Sequence, residues 1–134
     1  MKNILITGGG GYIGSMLATE LIKLGHKVTV IDLLKFDKGS LDHLYFETNF
    51  TFINGDVRNI NLLKKYISKN EFIIPMAALV GAPLCKKNKK EAIETNFESI
   101  KKILKNLSNK NKLIYLTTNS GYGIGEKNKF CDEN

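Results

Sequence analysis

Arginine occurs once in this sequence, at Arg58, although lysine and arginine together number 20 against 13 acidic residues. Bidentate reading of bases and phosphates favours arginine. The formal charge of +7 is therefore read as a lysine-covered surface, and nucleic acid is not expected as a partner. The same charge still attracts an anionic nucleotide. Cysteine is nearly as scarce. Cys85 and Cys131 are too few and too far apart for a metal motif or a disulfide framework, so no metal site is expected and both read as reduced thiols of a cytoplasmic protein. Long apolar runs are missing: nothing approaches the roughly 18 residues that a membrane span requires. Met1-Lys2-Asn3 leads directly into a short apolar stretch that glycines end, which is not a secretory signal. No repeat or linker interrupts the chain, and 43% hydrophobic residues supply a single core, hence one domain.

What is present is an alternation. Residues 2–7, 27–32, 50–54, 72–75 and 112–117 read as five short strands. Between them, residues 12–24 carry Ile13, Leu17, Leu21 and Leu24 at helical spacing, with Gly25 as the stop signal. Residues 33–46 read as a loop with a short helix capped by Ser40. Residues 61–69 form a short helix, and residues 88–107 a long amphipathic one with Ala92, Phe97, Ile100, Ile103, Leu104 and Leu107 facing inward. Residues 119–134 are Gly-rich and polar. Strands alternating with helices imply parallel β-α-β units, an α/β doubly wound sheet with helices on both faces, and ligands at the carboxyl ends of its strands.

The glycine cluster gives that ligand a chemistry. Gly8, Gly11 and Gly14 have the spacing G-x-x-G-x-x-G between the first strand and the first helix. Gly8 permits the sharp turn. Gly11 lets a pyrophosphate approach the backbone, with Tyr12 and Ile13 opening the helix whose N-terminus meets the phosphates, and Gly14 lets that helix lie close to the strand. Asp32 closes the second strand and is placed, with Leu33 beside it, to accept the adenosine ribose hydroxyls. A carboxylate there repels a 2′-phosphate, no arginine follows, and Lys35 is the nearest cation, so NAD is expected rather than NADP.

The pattern T-G-x-x-G-x-x-G resembles the extended short-chain dehydrogenases, the NAD-dependent sugar-nucleotide epimerase and dehydratase family that includes UDP-glucose 4-epimerase, and four further segments extend the resemblance along the chain. Gly55-Asp56-Val57-Arg58 is similar to a G-D-[VI]-R segment and implies that Asp56 meets the adenine amino group beside the Val57 backbone. Met76-Ala77-Ala78 resembles the end of an H-x-A-A segment over which the cofactor passes, with Pro75 in the place of the histidine. Glu94-Thr95-Asn96 resembles a helix segment that puts Thr95 near the nicotinamide ribose and makes Asn96 structural. The stretch from Tyr115 to Gly123 resembles S-S-x-x-V-Y-G, which gives Thr118 the role of the catalytic hydroxyl and Thr117 a place beside the nicotinamide.

The family's general base is a tyrosine with a lysine four residues on. No tyrosine among the 134 residues has one. The resemblance implies that the pair, and the sugar-binding part, lie beyond Asn134. The expectation is an N-terminal dinucleotide-binding Rossmann domain over residues 1–134, truncated and inactive by itself, from an enzyme acting on a nucleotide-sugar substrate, with room for a homodimer at full length. Asn119 and Ser120 stand where dehydratases of the family carry an acidic pair. That favours epimerase-like oxidation and re-reduction, or simple reduction, over dehydration. A non-catalytic NAD-binding module is the competing reading.

Overall fold

The computed structural model describes residues 1–117, through which five parallel strands run in the order β3-β2-β1-β4-β5. They are β1 (Asn3–Thr7), β2 (Lys27–Asp32), β3 (Phe50–Asn54), β4 (Phe72–Pro75) and β5 (Lys112–Leu113). This is the doubly wound parallel sheet that the alternation implies. Ile4, Leu5 and Ile6 of β1 and Val28, Val30 and Ile31 of β2 are all buried, as expected for central strands covered on both faces. One face gathers Ile4, Ile6, Val28 and Val30 with Ala18 and Ile22 of α1 (Tyr12–Lys23). The other gathers Leu5, Ile31 and Ile73 with Leu63 and Ile67 of α2 (Ile60–Ile67) and Ile103 of α5 (Ser99–Asn106).

α1 ends as Gly25 demands. With φ at +79°, Gly25 donates to Ile22 O at 2.9 Å while His26 donates to Leu21 O at 3.0 Å, a paired C-terminal cap. The buried face of α1 is not the stripe of leucines and isoleucines. Gly14, Ala18 and Ile22 are buried, Leu17 and Leu21 flank them, and Ile13 and Leu24 are exposed. Small residues at positions 14 and 18 let the first turns of α1 lie close to the sheet, and Ile22 fills the space farther along.

Three other expectations are corrected. Ser40 caps no helix: the 3-10 turn Asp42–Leu44 has no side-chain cap, and the Ser40 hydroxyl donates to Gly10 O at 2.8 Å. The helix expected over residues 88–107 is divided into α4 (Lys89–Ile93), a π-helical turn Glu94–Glu98, and α5, and a separate short helix, α3 (Ala82–Lys87), precedes it. The wide turn shifts the register by one residue, so Thr95, Ser99 and Ile103 face inward while Phe97 and Leu104 are exposed. β5 stops at Leu113. Ile114 still donates to Ile73 O at 3.0 Å, but the next donor along that edge of β4 belongs to Pro75, which has no N–H. Residues 114–117 are accordingly outside the ladder.

Candidate functional site

The carboxyl ends of β1, β2 and β4 converge on one groove, at the point where the strand order reverses on either side of β1. Gly8 leaves β1 with φ at +75° and donates to Ile31 O at 2.8 Å. A Cβ there would lie 2.4 Å from Ala77 N, so the glycine loop rests directly on the backbone that follows β4. A Cβ at Gly14 would lie 2.6 Å from Gly8 O, which fixes α1 against its own loop. Gly11 is different. The nearest atom to its Cβ position, among the described residues, is Gly8 O at 3.4 Å. No atom of the described residues requires a glycine there. Gly11 also sits at the N-terminus of α1, which no side chain caps. The first N–H groups of that helix are left for a partner, and the bare backbone leaves room for it.

Asp32 is the anchor of the opposite wall. Its Oδ2 accepts from Gly10 N at 2.9 Å and its Oδ1 from Leu34 N at 2.7 Å. Leu34 thereby holds φ at +50°, a conformation that costs a branched residue about 1 kcal/mol. Its side chain packs against the core, and that contact offsets the strain. A carboxylate has about four acceptor positions, so two remain for hydroxyl donors in the groove. Gly10 escaped the sequence reading because the G-x-x-G-x-x-G spacing skips it.

The third wall is Gly55-Asp56-Val57-Arg58. The Val57 side chain is buried in the core, which turns its backbone to the groove. Asp56 and Arg58 are locked together. Arg58 Nε lies 3.0 and 2.9 Å from the two oxygens, Nη2 is 2.6 Å from Oδ2, and Arg58 N donates to Oδ1 at 2.8 Å. Those four contacts use the acceptor capacity of Asp56. The Arg58 guanidinium also holds this carboxyl below the usual carboxylate range. Arg58 Nη1 then donates to Glu94 Oε2 at 3.0 Å, and Lys102 Nζ donates to Arg58 O at 2.9 Å. The single arginine thus ties the β3 end to the π turn and α5, a role that no local motif announced.

The fourth side is Met76-Ala77-Ala78 and Thr95. Asn96 accepts from Leu79 N and donates to Leu79 O, each at 2.8 Å, which pins the π turn to the segment after β4. That is the structural role expected of it. Lys35, beyond β2, forms an ion pair with Glu91 of α4 across the groove rim.

Gly8, Gly11, Asp32, Leu33, Asp56, Val57, Met76, Ala77, Ala78 and Thr95 therefore share one groove. Gly14 lies beneath it. Tyr12 is exposed, and Ile13 lines a second depression with Pro75, Ala77, Asn96 and Tyr115 on the far side of the β4 end. Thr117 is exposed, and Thr118 lies outside the described residues. Among the described residues, the cradle suits a dinucleotide on its own geometry: a helix N-terminus without a side-chain cap, a glycine at which a Cβ would make only an ordinary contact, and a carboxylate with acceptor positions left over.

A family model described as the NAD dependent epimerase/dehydratase family matches residues 4–134. The chain is 37% identical over 126 residues to a UDP-N-acetyl-alpha-D-glucosaminuronate decarboxylase of Bacillus cytotoxicus, covering 92% of this chain and 39% of that protein. It is similar in structure to a UDP-N-acetylglucosamine 4-epimerase of Methanobrevibacter ruminantium in complex with UDP-N-acetylmuramic acid, with a TM-score of 0.83 at 26% identity over 98% of this chain and 43% of the other. It is also similar to the Bordetella bronchiseptica enzyme WbmG in complex with NAD and UDP, with a TM-score of 0.76 at 29% identity over 90% of this chain and 38% of the other. The chain spans about two fifths of the length of these relatives.

Proposed function

Because the chain belongs to the NAD-dependent epimerase/dehydratase family, we propose that it is the cofactor-binding part of an enzyme that oxidises and re-reduces a sugar carbon of a nucleotide sugar. The observation that carries the reading is the pairing of Gly11 and Asp32 across one groove, the first with no more than an ordinary 3.4 Å contact to a described residue where a Cβ would stand, the second with acceptor positions to spare. Held in this groove, NAD would supply reversible hydride acceptance at the sugar carbon. The residues of this chain bind and orient. Gly8 and Gly11 present backbone and the α1 N-terminus to the pyrophosphate. Asp32, flanked by Leu33, accepts the adenosine ribose hydroxyls. Val57 offers backbone to the adenine, and Asp56 does so with its carboxylate once Arg58 yields one N–H. Thr95, with Ala77 and Ala78, flanks the nicotinamide end, where Thr117 belongs too. Thr118 donates a hydrogen bond to the substrate oxygen under reaction.

Relatives named for epimerisation and for decarboxylation are consistent with one shared first step, oxidation to a keto sugar. With Asn119 and Ser120 after Thr118, neither able to supply a carboxylic proton, the epimerase or reductase outcome is favoured over dehydration. A homodimer belongs to the same proposal. Ile93, Phe97 and Leu104 are exposed at helical spacing on α4, the π turn and α5, apolar surface that a second copy would cover. No helix among the described residues is long and apolar enough to cross a membrane, in keeping with a cytoplasmic setting. The decisive test is titration calorimetry of the purified chain with NAD, beside the Gly11→Ser variant. Saturable binding that the serine abolishes supports the proposal. Absence of NAD binding by the unaltered protein would sink it.

A further inference from the structure

Two cations, Lys35 and Arg58, stand at the adenosine end of the groove, and both are already paired. Lys35 follows Asp32 by three positions on the β2 side. Its partner Glu91 comes from α4, and both side chains line the groove. Arg58 is shared between Asp56 and Glu94. The acidic residues facing this end are thus Asp32, Asp56, Glu91 and Glu94, with Lys90 3.9 Å from Glu94 as an outer cation. A 2′-phosphate carries about two negative charges and asks for a free cation beside the ribose. In this fold neither near cation is free.

We propose that Glu91 is a specificity-determining residue: by holding the Lys35 ammonium, it withholds a flexible cation near Asp32 from a 2′-phosphate and so sharpens the preference for NAD over NADP. The inference rests on the NAD reading of the groove and adds to Asp32 a second, independent discriminator from the opposite wall. Asp32 repels a 2′-phosphate, and Glu91 removes the attraction that would offset the repulsion. Lysine suits such a device because its long stem can swing to either partner, whereas Arg58 is fixed by its fork of bonds to Asp56. The pair is partly exposed, with side-chain exposures of 47% and 29%, so its effect on folding is small and Glu91→Gln keeps shape while removing charge.

The test measures binding of NAD and NADP, by calorimetry and without substrate, to the unaltered protein, Glu91→Gln, Lys35→Met and the double variant. The expected result is a gain in NADP affinity of about fivefold for Glu91→Gln, with NAD affinity unchanged. The gain should vanish in the double variant and shrink as salt is raised. An equal change for both dinucleotides overturns the proposal, because the pair would then be a clasp on the groove and not a selector. A gain that survives Lys35→Met overturns it too, since Glu91 would be acting by its own repulsion. If neither dinucleotide binds the unaltered protein, the NAD reading itself fails and this inference falls with it.

Discussion

Gly10, in the turn between β1 and α1, and Asp32, at the end of β2, meet in one hydrogen bond: the Gly10 N–H donates to Asp32 Oδ2 at 2.9 Å. The carboxylate expected to hold a ribose therefore also shapes the phosphate loop. Removing it should disturb both halves of the adenosine site together.

For that reason Asp32→Ala should weaken NAD binding by at least the loss of one charge-assisted hydrogen bond, about 1.5–3 kcal/mol. The unaltered protein should prefer NAD to NADP. Calorimetric titration with both cofactors checks this, and equal or tighter NADP binding by the unaltered protein would refute the assignment of Asp32.

Gly14 and Gly11 should part company when substituted. Gly14→Ala places a Cβ 2.6 Å from Gly8 O, and overpacking of that kind costs about 1–3 kcal/mol. The Cβ of Gly11→Ser would meet no atom of the described residues closer than 3.4 Å, and its hydroxyl supplies a favourable N-cap to α1. Thermal melts should show the first destabilised and the second unchanged or raised, while NAD titration should show the second impaired. A Gly11→Ser protein that binds NAD normally would remove the phosphate role from this loop.

Acid should act on the Asp56–Arg58 pair. The folded-state pKa of Asp56 is shifted below its unfolded value, chiefly by the side-chain hydrogen bonds from Arg58. Its contribution to stability is then fully present above the unfolded value of about 4 and is lost as pH falls through the lower, folded one. Asp56→Asn should flatten the stability profile below about pH 4, as followed by urea melts. A variant that loses stability with falling pH as steeply as the parent would show that the pair contributes nothing.

Under the proposed reading, Thr118 should govern turnover of the nucleotide sugar. A hydroxyl that bonds the reacting oxygen more strongly in the transition state affects kcat more than KM. Thr118→Val should lower kcat by roughly 100-fold, and Thr118→Ser should retain most of it. Near-normal kcat for Thr118→Val with loss of activity in Ser120→Ala would move the catalytic hydroxyl to Ser120.

The sheet was legible because its signals are local. Three buried residues in a row in β1, and apolar runs bounded by Gly25, Gly55 and Pro75, mark strand limits that the structure keeps. What failed depended on partners elsewhere. β5 was read to Thr117 from β-rich composition, but a strand extends only where its neighbour can donate, and Pro75 cannot. Residues 88–107 were read as one helix because periodicity over a long window hides a single extra residue, which the π turn at Glu94–Glu98 inserts. Of the candidate site, the groove residues given by motif came together, whereas Gly10, Lys35, Arg58 and Glu91 acquired roles only through contacts between distant segments. Lys35 and Glu91 are 56 positions apart, and no spacing rule links them.

The ordinary 3.4 Å contact that a Cβ at Gly11 would make, among the described residues, also determines how this loop would change over generations. Gly8, Gly10 and Gly14 each have protein atoms within 3.0 Å of where a Cβ would go, and Gly11 does not. Selection for folding alone would preserve the first three and let position 11 drift to serine or alanine. Selection for the ligand would keep all four. Position 11 is thus where a lineage that stopped binding its dinucleotide would first record the loss, while the rest of the loop still looked intact.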